Sequence, residues 1–340
     1  MSTIAAPKLT FGYLYDFRNP PLWQRDWAEV YAEVLDFATW SETAGFAGAW
    51  VPEHHGAGDG YMPSPMIALA ALAARTKTLR LGSGIALGPL YHPVRFAEDC
   101  AVLDILSGGR LEMGLAIGYR RRETAGYGVD FTKRGARFDE FLEIVTRLWR
   151  DETVSFTGQH FSVENAVIDP LPPRGKVPLF IGGFAPKALD RVAKYGDGYF
   201  GNEEFVPQYQ TALTAHGKDP AAARVWIQQL FTVVARDPDA AREELAPYFH
   251  HVNNMYGVWM NEDKAIGLDS PGLKEMSLEK FKASGIMEVL TPEQAVAKFS
   301  AMRARGPVEH ITLMLPPGLP PEQFKPYAQL FADEVIPAFA

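Results

Sequence analysis

The sequence predicts an α/β fold, a TIM (β/α)8 barrel in a single domain spanning residues 1–340, with an inserted β-hairpin and an insertion or lid in its C-terminal half. Three observations predict it. Short β-rich runs alternate eight times with longer helical runs, as repeated parallel βα units require. The chain has 340 residues, 47% of them hydrophobic, and such barrels often exceed ~250 residues as one domain. No glycine-rich dinucleotide fingerprint follows the first strand, which argues against an open doubly wound sheet.

The elements follow in order. LTFGYLY at 9–15 reads as the first strand, and the amphipathic WAEVYAEVLDFATWSETAG as a helix stopped by Gly45. FAGAWV is the second strand, followed by SPMIALAALAARTK with Ser64 as N-cap and Pro65 in the first turn. LRLGSGIAL is the third strand, VRFAEDCAVLDILSGG its helix, and RLEMGLAIG the fourth strand. RGARFDEFLEIVTRLWRD carries apolar residues at three-to-four spacing, the helical period.

TVSFTGQHFSV breaks the rhythm, and its alternation around Thr157 and Gly158 reads as a β-hairpin. The pattern resumes with strand VPLFIGG, helix PKALDRVAKYG, strand DGYFGN and a helix over 206–216. RVWIQQLFTVVAR reads as one continuous seventh strand, followed by a long helical stretch. A polar segment, NEDKAIGLDSPGLKEMSLEKFKASG, then predicts an insertion or lid at 255–288. Thr291 caps the next helix with Glu293 and Gln294 in its first turn; HITLML and a final helix close the pattern.

Net charge is −8, and no block of like charge exceeds the three residues Arg120 to Arg122. That balance argues against nucleic acid or an anionic membrane as partner. Cys100 is the only cysteine, which excludes an internal disulfide and fits a reducing cytoplasm. The N-terminus has no basic-then-apolar leader pattern. The longest apolar run, near 66–74, is far short of the ~20 residues that span a bilayer. A soluble, cytoplasmic protein is expected.

Barrel chemistry sits in the loops after the strands' C-terminal ends. The first strand ends in Tyr15, Asp16 and Arg18, either a pocket wall or a polar loop. The second ends in Glu53, His54 and His55; histidine titrates nearest neutral pH and is the usual general acid or base. No third ligand stands at metal-binding spacing, and His92, His160, His250 and His251 are scattered. The third strand's Gly82, Ser83 and Gly84 either admit a flat ligand or relieve packing inside the barrel. After the fourth strand, Tyr119 and Arg120 offer donors to a phosphate, while Arg121 and Arg122 read as a solvated face. Gly182 and Gly183 precede a helix start, where backbone N–H groups attract an anion. Tyr13, Phe17, Tyr61, Met62 and Trp259 would suit an apolar pocket or the core equally well.

These segments together resemble the bacterial luciferase-like flavin monooxygenase family over most of the chain. The resemblance rests on GFAGAWVPEHH, on the long stretch LRLGSGIALGPLYHPVRFAEDCAVLDILSGGRLEMGLAIG, on VPLFIGGFAPKALDRVAKYGDGYF, and on the C-terminal HITLML with LFADEVIPAF. It implies a TIM barrel that binds reduced FMN, or in one branch a deazaflavin, at its C-terminal mouth. It implies a non-prolyl cis peptide under the flavin ring, falling between Gly84 and Ile85. His54 aligns with the family's catalytic histidine and would steer protons during the flavin's chemistry. Gly182 and Gly183 match the phosphate-side turn.

The departures lie where luciferases place an arginine, a reactive cysteine and a glutamate–serine pair. Ile117, Ala116, Phe184 and Ala185 stand there, so phosphate contact would shift to Tyr119, Arg120 and backbone amides, and light emission is not implied. The leading expectation is an FMN-dependent monooxygenase acting with dioxygen on a small organic substrate, served by a separate flavin reductase and forming a homodimer. The alternatives are a deazaflavin-dependent dehydrogenase or reductase and a non-catalytic flavin-binding homologue.

Overall fold

The computed structural model describes residues 8–150, 152–264 and 273–340. Its strands, in chain order, are β1 (Thr10–Leu14), β2 (Gly48–Val51), β3 (Arg80–Ser83), β4 (Ala86–Leu87) and β5 (Met113–Ala116). The hairpin β6 (Val154–Thr157) and β7 (Ser162–Ala166) comes next, then β8 (Leu179–Gly182), β9 (Gly198–Gly201) and β10 (Val225–Gln228). β11 (Thr232–Val234), β12 (Glu288–Leu290) and β13 (Val308–Met314) complete the set among the described residues. Nine of these form one sheet in the order β3-β2-β1-β13-β10-β9-β8-β5-β4, and its strand pairs are parallel. β3 and β4 are two halves of one strand, and Leu81 bridges Leu111 ahead of β5. The sheet therefore curls into a barrel of eight positions, as expected.

Helices wrap the outside: α1 (Trp27–Thr43), α2 (Pro65–Arg75), α3 (Pro93–Ser107), α4 (Arg121–Gly126), α5 (Arg134–Leu148), α6 (Pro186–Tyr195), α7 (Val206–Ala215), α8 (Pro238–Lys264), α9 (Leu278–Ala283), α10 (Pro292–Arg305) and α11 (Pro321–Glu334). α10 opens on a full capping box between Thr291 and Gln294. Ser64 holds the N-cap position of α2, but its side chain makes no cap hydrogen bond. The hairpin forms where the sequence predicts it, with β6 and β7 antiparallel. Among the described residues no helix is long and apolar enough to cross a membrane.

Two expectations are corrected. The seventh strand is not continuous: β10 stays in the barrel, whereas β11 leaves it and pairs with β12 in a separate parallel ribbon. The apolar pattern runs on because β11 packs beneath α11, so hydrophobicity does not mark the point of departure. The expected insertion at 255–288 begins inside α8, which continues through Lys264, and it contains the first strand residue of β12. Residues 265–272 of that segment lie outside the described residues.

Large rings fill the barrel. Trp50 of β2 and Trp226 of β10 approach to 4.4 Å between ring centroids, Phe180 stacks on Trp226 at 3.4 Å, and Phe200 meets Trp226 edge-on at 5.5 Å. Small residues must stand opposite them. A Cβ on Gly82 would lie 1.7 Å from the Glu112 carbonyl oxygen and 2.8 Å from Trp50; one on Gly114 would lie 2.3 Å from the Ser83 carbonyl oxygen. The bareness of the third strand is thus first a packing requirement of the barrel interior.

At the bottom of the barrel the Trp50 indole N–H donates to Nε2 of fully buried His310 (2.7 Å). Nδ1 then carries the proton and lies 2.9 Å from the Thr10 hydroxyl, which donates onward to the Glu309 carbonyl at 2.9 Å. Burial, and secondarily the Arg80 guanidinium, hold the His310 imidazole well below its usual titration range. In the unfolded chain the ring titrates near ~6.5. Below that pH the unfolded chain binds a proton that folded His310 refuses, so stability falls as pH drops.

Gly82→Ala should destabilise the fold by about 3 kcal/mol or more, whereas Gly58→Ala, in open space, should stay within about 0.5 kcal/mol; urea unfolding compares them, and equal effects would contradict the packing account. His310→Gln should flatten the decline of stability between pH 6.5 and 5 by up to about 1.4 kcal/mol per pH unit. An unchanged slope in unfolding curves across that range would show that His310 does not carry it.

Candidate active site

The third strand, expected to be continuous, is broken at Gly84 and Ile85 between β3 and β4, and this break forms the floor of a cleft of about 840 Å³ at the barrel's C-terminal mouth. The Gly84–Ile85 peptide is cis. Both sides of the break are tied to the β2 segment. Gly84 N–H donates to the Val51 carbonyl (2.8 Å), and Leu87 N–H donates to the Glu53 carboxylate (2.7 Å). Below the floor, a Cβ on Gly84 would press within 3.1 Å of Trp50 and 3.3 Å of Phe200. Beside it, a Cβ on Gly182 would come within 2.5 Å of the Ile85 side chain, so Gly182 makes room for the floor itself. Gly183, at φ +131°, turns the chain through Phe184 and Ala185 into the first turn of α6, and all three residues line the cleft.

His54 stands on the wall, only 7% exposed. Its Nδ1 lies 2.8 Å from Glu123 Oε1. The same carboxylate oxygen accepts the His55 backbone N–H (3.1 Å) and the Arg120 guanidinium (3.0 Å). Burial pushes the Glu123 carboxyl up, but its bonds to His54 and the charge of Arg120 outweigh that and hold it below the usual range. An ionised carboxylate only accepts, so the His54 proton sits on Nδ1 and Nε2 keeps its lone pair. Burial is the main reason the His54 imidazole titrates below its usual range, and Arg120 and Arg18 add to it against the pull of Glu123. The site therefore presents a neutral imidazole of fixed tautomer.

Aromatic rings surround that imidazole: Tyr61 at 4.6 Å, Trp259 at 4.9 Å, Tyr256 at 5.9 Å and Tyr119 at 6.0 Å between centroids. Burial raises the phenol pKa of Tyr61 and Tyr256, so these rings stay neutral. Tyr256 and Met260 of α8 roof the cleft, and Phe131 and Arg134 form its far wall. Arg134 stacks 3.6 Å from the Phe131 ring centroid and donates to the Gly118 (2.9 Å) and Phe131 (2.6 Å) carbonyls.

The structure thus brings His54, Gly84, Ile85, Tyr119, Gly182 and Gly183 to one cleft. Arg120 is not on its lining: it is buried behind His54 on Glu123, with the His55 carbonyl 3.1 Å away, because a desolvated guanidinium needs a carboxylate partner. Arg121 and Arg122 are exposed. Asp16 and Arg18 pair at 2.7 Å beneath Tyr61 rather than lining the cleft, and Tyr13, Phe17 and Met62 belong to the core. Sequence reasoning missed Glu123, Arg134, Tyr256, Gln228 and Met260. Glu123, in the first turn of α4 three residues after Arg120, was the detectable one. Among the described residues no group of three or more histidine, cysteine, aspartate or glutamate side chains is arranged to hold a metal ion.

A family model described as luciferase-like monooxygenase matches residues 9–309. The chain is 24% identical to the oxygenase component of the flavin-dependent trigonelline monooxygenase of Acinetobacter baylyi, over 93% of this chain and 92% of that protein. It is 29% identical to an F420-dependent glucose-6-phosphate dehydrogenase of Kineococcus radiotolerans, over 56% of this chain and 61% of that one. Other matches, to uncharacterized proteins of Sinorhizobium fredii, span only about half the length of those relatives. In fold, the chain is similar to the monooxygenase RslO1 of Streptomyces bottropensis, with a TM-score of 0.83 at 24% identity, covering 98% of this chain and 100% of that one.

Glu123→Gln removes the charge that favours the imidazolium, so the His54 pKa should fall further and the second ring tautomer should appear. Nitrogen-15 NMR titration of His54 reads both; a rise in pKa would contradict the assigned pairing.

Proposed function

The chain belongs to the luciferase-like monooxygenase family, and from that premise we propose that it is a flavin-dependent monooxygenase using reduced FMN and dioxygen to oxygenate a small organic substrate. The observation that carries this reading is the juxtaposition of neutral His54 with the flat Gly84–Ile85 floor in one largely apolar cleft. The residues present fit the cofactor. The floor and Ala116 leave a surface without long side chains for a flat ring system, and Gly182 and Gly183 bring backbone close to it. Tyr119, the backbone of Gly182 and Gly183, and Arg134 would hold the phosphate end. Arg120, expected there from the sequence, instead serves the site by holding Glu123.

Reduced FMN, when bound, supplies the two electrons that let one atom of dioxygen enter the substrate while the other leaves as water. The chain's own work is then local. Glu123 fixes the Nδ1 proton of His54, so Nε2 takes or returns a proton at the mouth. Leu87, Ile117, Phe131, Tyr256 and Met260 keep water from the reacting atoms. A separate flavin reductase is the partner that delivers reduced cofactor, and the protein works as a homodimer in the cytoplasm. The near full-length similarity to an oxygenase component supports the two-component reading.

Anaerobic titration separates the two cofactors: reduced FMN should give a saturable absorbance change and reduced F420 none, and tight binding of the deazaflavin alone would overturn the reading. With a substrate in hand, His54→Ala should lower kcat about 10²–10⁴-fold. Unchanged turnover would remove His54 from the chemistry.

A further inference from the structure

Helix α8 carries one side chain into the charged layer behind the cleft. Trp259 is only 4% exposed, while its neighbour Val258 is 39% exposed on the outer face. The indole packs 4.9 Å from the His54 ring on one side. The Arg120 guanidinium carbon lies 3.9 Å from its centroid. Arg120 binds Glu123, and Glu123 binds His54. A single ring from a separate helix therefore touches both ends of the Arg120–Glu123–His54 chain.

We propose that Trp259 is a positioning residue for His54: it seals the Arg120–Glu123–His54 chain from water and thereby fixes the charge state and tautomer of the imidazole. A cation against an aromatic face is held most firmly where water is excluded, and the ion pairs behind the ring need the same dryness to keep their geometry. Two further contacts seat α8 so that the indole arrives in register. The Tyr256 and Tyr61 hydroxyls meet at 3.0 Å, and His251 Nε2 lies 2.8 Å from Asp59.

Several titratable or charged groups face His54 from the surrounding elements. Tyr61, from the loop after β2, is backed by Arg18 with Asp16 and Asp59. Tyr119 follows β5, Tyr256 and Glu262 come from α8, and Glu262 lies 3.9 Å from Arg120. Glu53 and His55, its chain neighbours, bind each other at 2.9 Å. None of these replaces the indole between His54 and Arg120.

This inference rests on the reading of His54 as the proton-moving group, but its test does not need turnover. Nitrogen-15 NMR of the resting protein follows the His54 titration in Trp259→Ala and Trp259→Phe. The alanine variant should raise the His54 pKa toward its ordinary value, because water relieves the burial, and should mix the two tautomers. Phenylalanine should restore both. With a substrate, the acidic limb of the kcat profile should move upward in step, with kcat down about tenfold or more and KM within about twofold. Should the alanine variant not fold, Trp259→Gln, which fills part of the space but brings a polar group and water to the Arg120–Glu123–His54 chain, is read in the same way. An unmoved titration overturns the proposal even where turnover is lost. A shifted titration in a protein that binds no flavin overturns the functional reading and leaves this one standing.

Discussion

The interior of this barrel is filled by rings that leave almost no room for a second layer of side chains, and the rest of the molecule follows from that constraint. With Trp50, Phe180, Phe200 and Trp226 packed across the axis, the neighbouring strand positions have little room for a side chain. Two of those positions, Gly82 and Gly84, lie on the third strand. A strand stripped of side chains holds its place only if its backbone is tied, and the ties come from β2 and the loop that follows it. Val51 accepts the Gly84 N–H before the break, and Glu53 accepts the Leu87 N–H after it. The same packing that plugs the barrel thereby builds a bare, fixed floor at its mouth.

The second level of organisation is electrostatic and lies beside that floor. Each charge there is taken out of water in company. Arg18 sits with Asp16 and Asp59, and Arg120 with Glu123. Buried pairs of this kind are a poor source of net stability but a good source of fixed geometry. Here the geometry sets one imidazole tautomer, with its proton on Nδ1 toward Glu123. The aromatic box around His54 completes the arrangement by keeping the pairs dry.

Much of the barrel was legible because its signals are local and periodic. Strand runs, helix stops such as Gly45 and the capping box at Thr291 each follow from a few neighbouring residues. The hairpin was legible for the same reason. The seventh strand misled because β10 and β11 are equally apolar, and only their pairing partners distinguish them. At the site, positions fixed by the strand ends were readable: His54, Gly84, Ile85, Tyr119, Gly182 and Gly183 share one cleft. Side chains that arrive from elsewhere were not. Tyr256, Trp259 and Met260 reach His54 and the cleft from a helix about 200 residues further on, and no spacing rule connects them. Arg120 misled because an arginine after a strand suits an anion equally from a ligand or from a neighbouring glutamate, and the glutamate three residues on takes it. For Gly82 and Gly84 the sequence left both packing relief and a flat ligand open, because the Trp50 side chain and the Glu112 backbone that crowd them come from other parts of the barrel.

The central claim is that the Gly84–Ile85 floor is the platform for a flavin ring with His54 at its edge. A crystal structure of the protein with FMN bound tests it most directly. The account predicts the ring lying across Gly84 and Ile85, the phosphate at Gly182, Gly183 and Arg134, and His54 facing the ring with Nδ1 still on Glu123. A flavin seated elsewhere, or a phosphate drawn to Arg120 with the Glu123 pair broken, would contradict it.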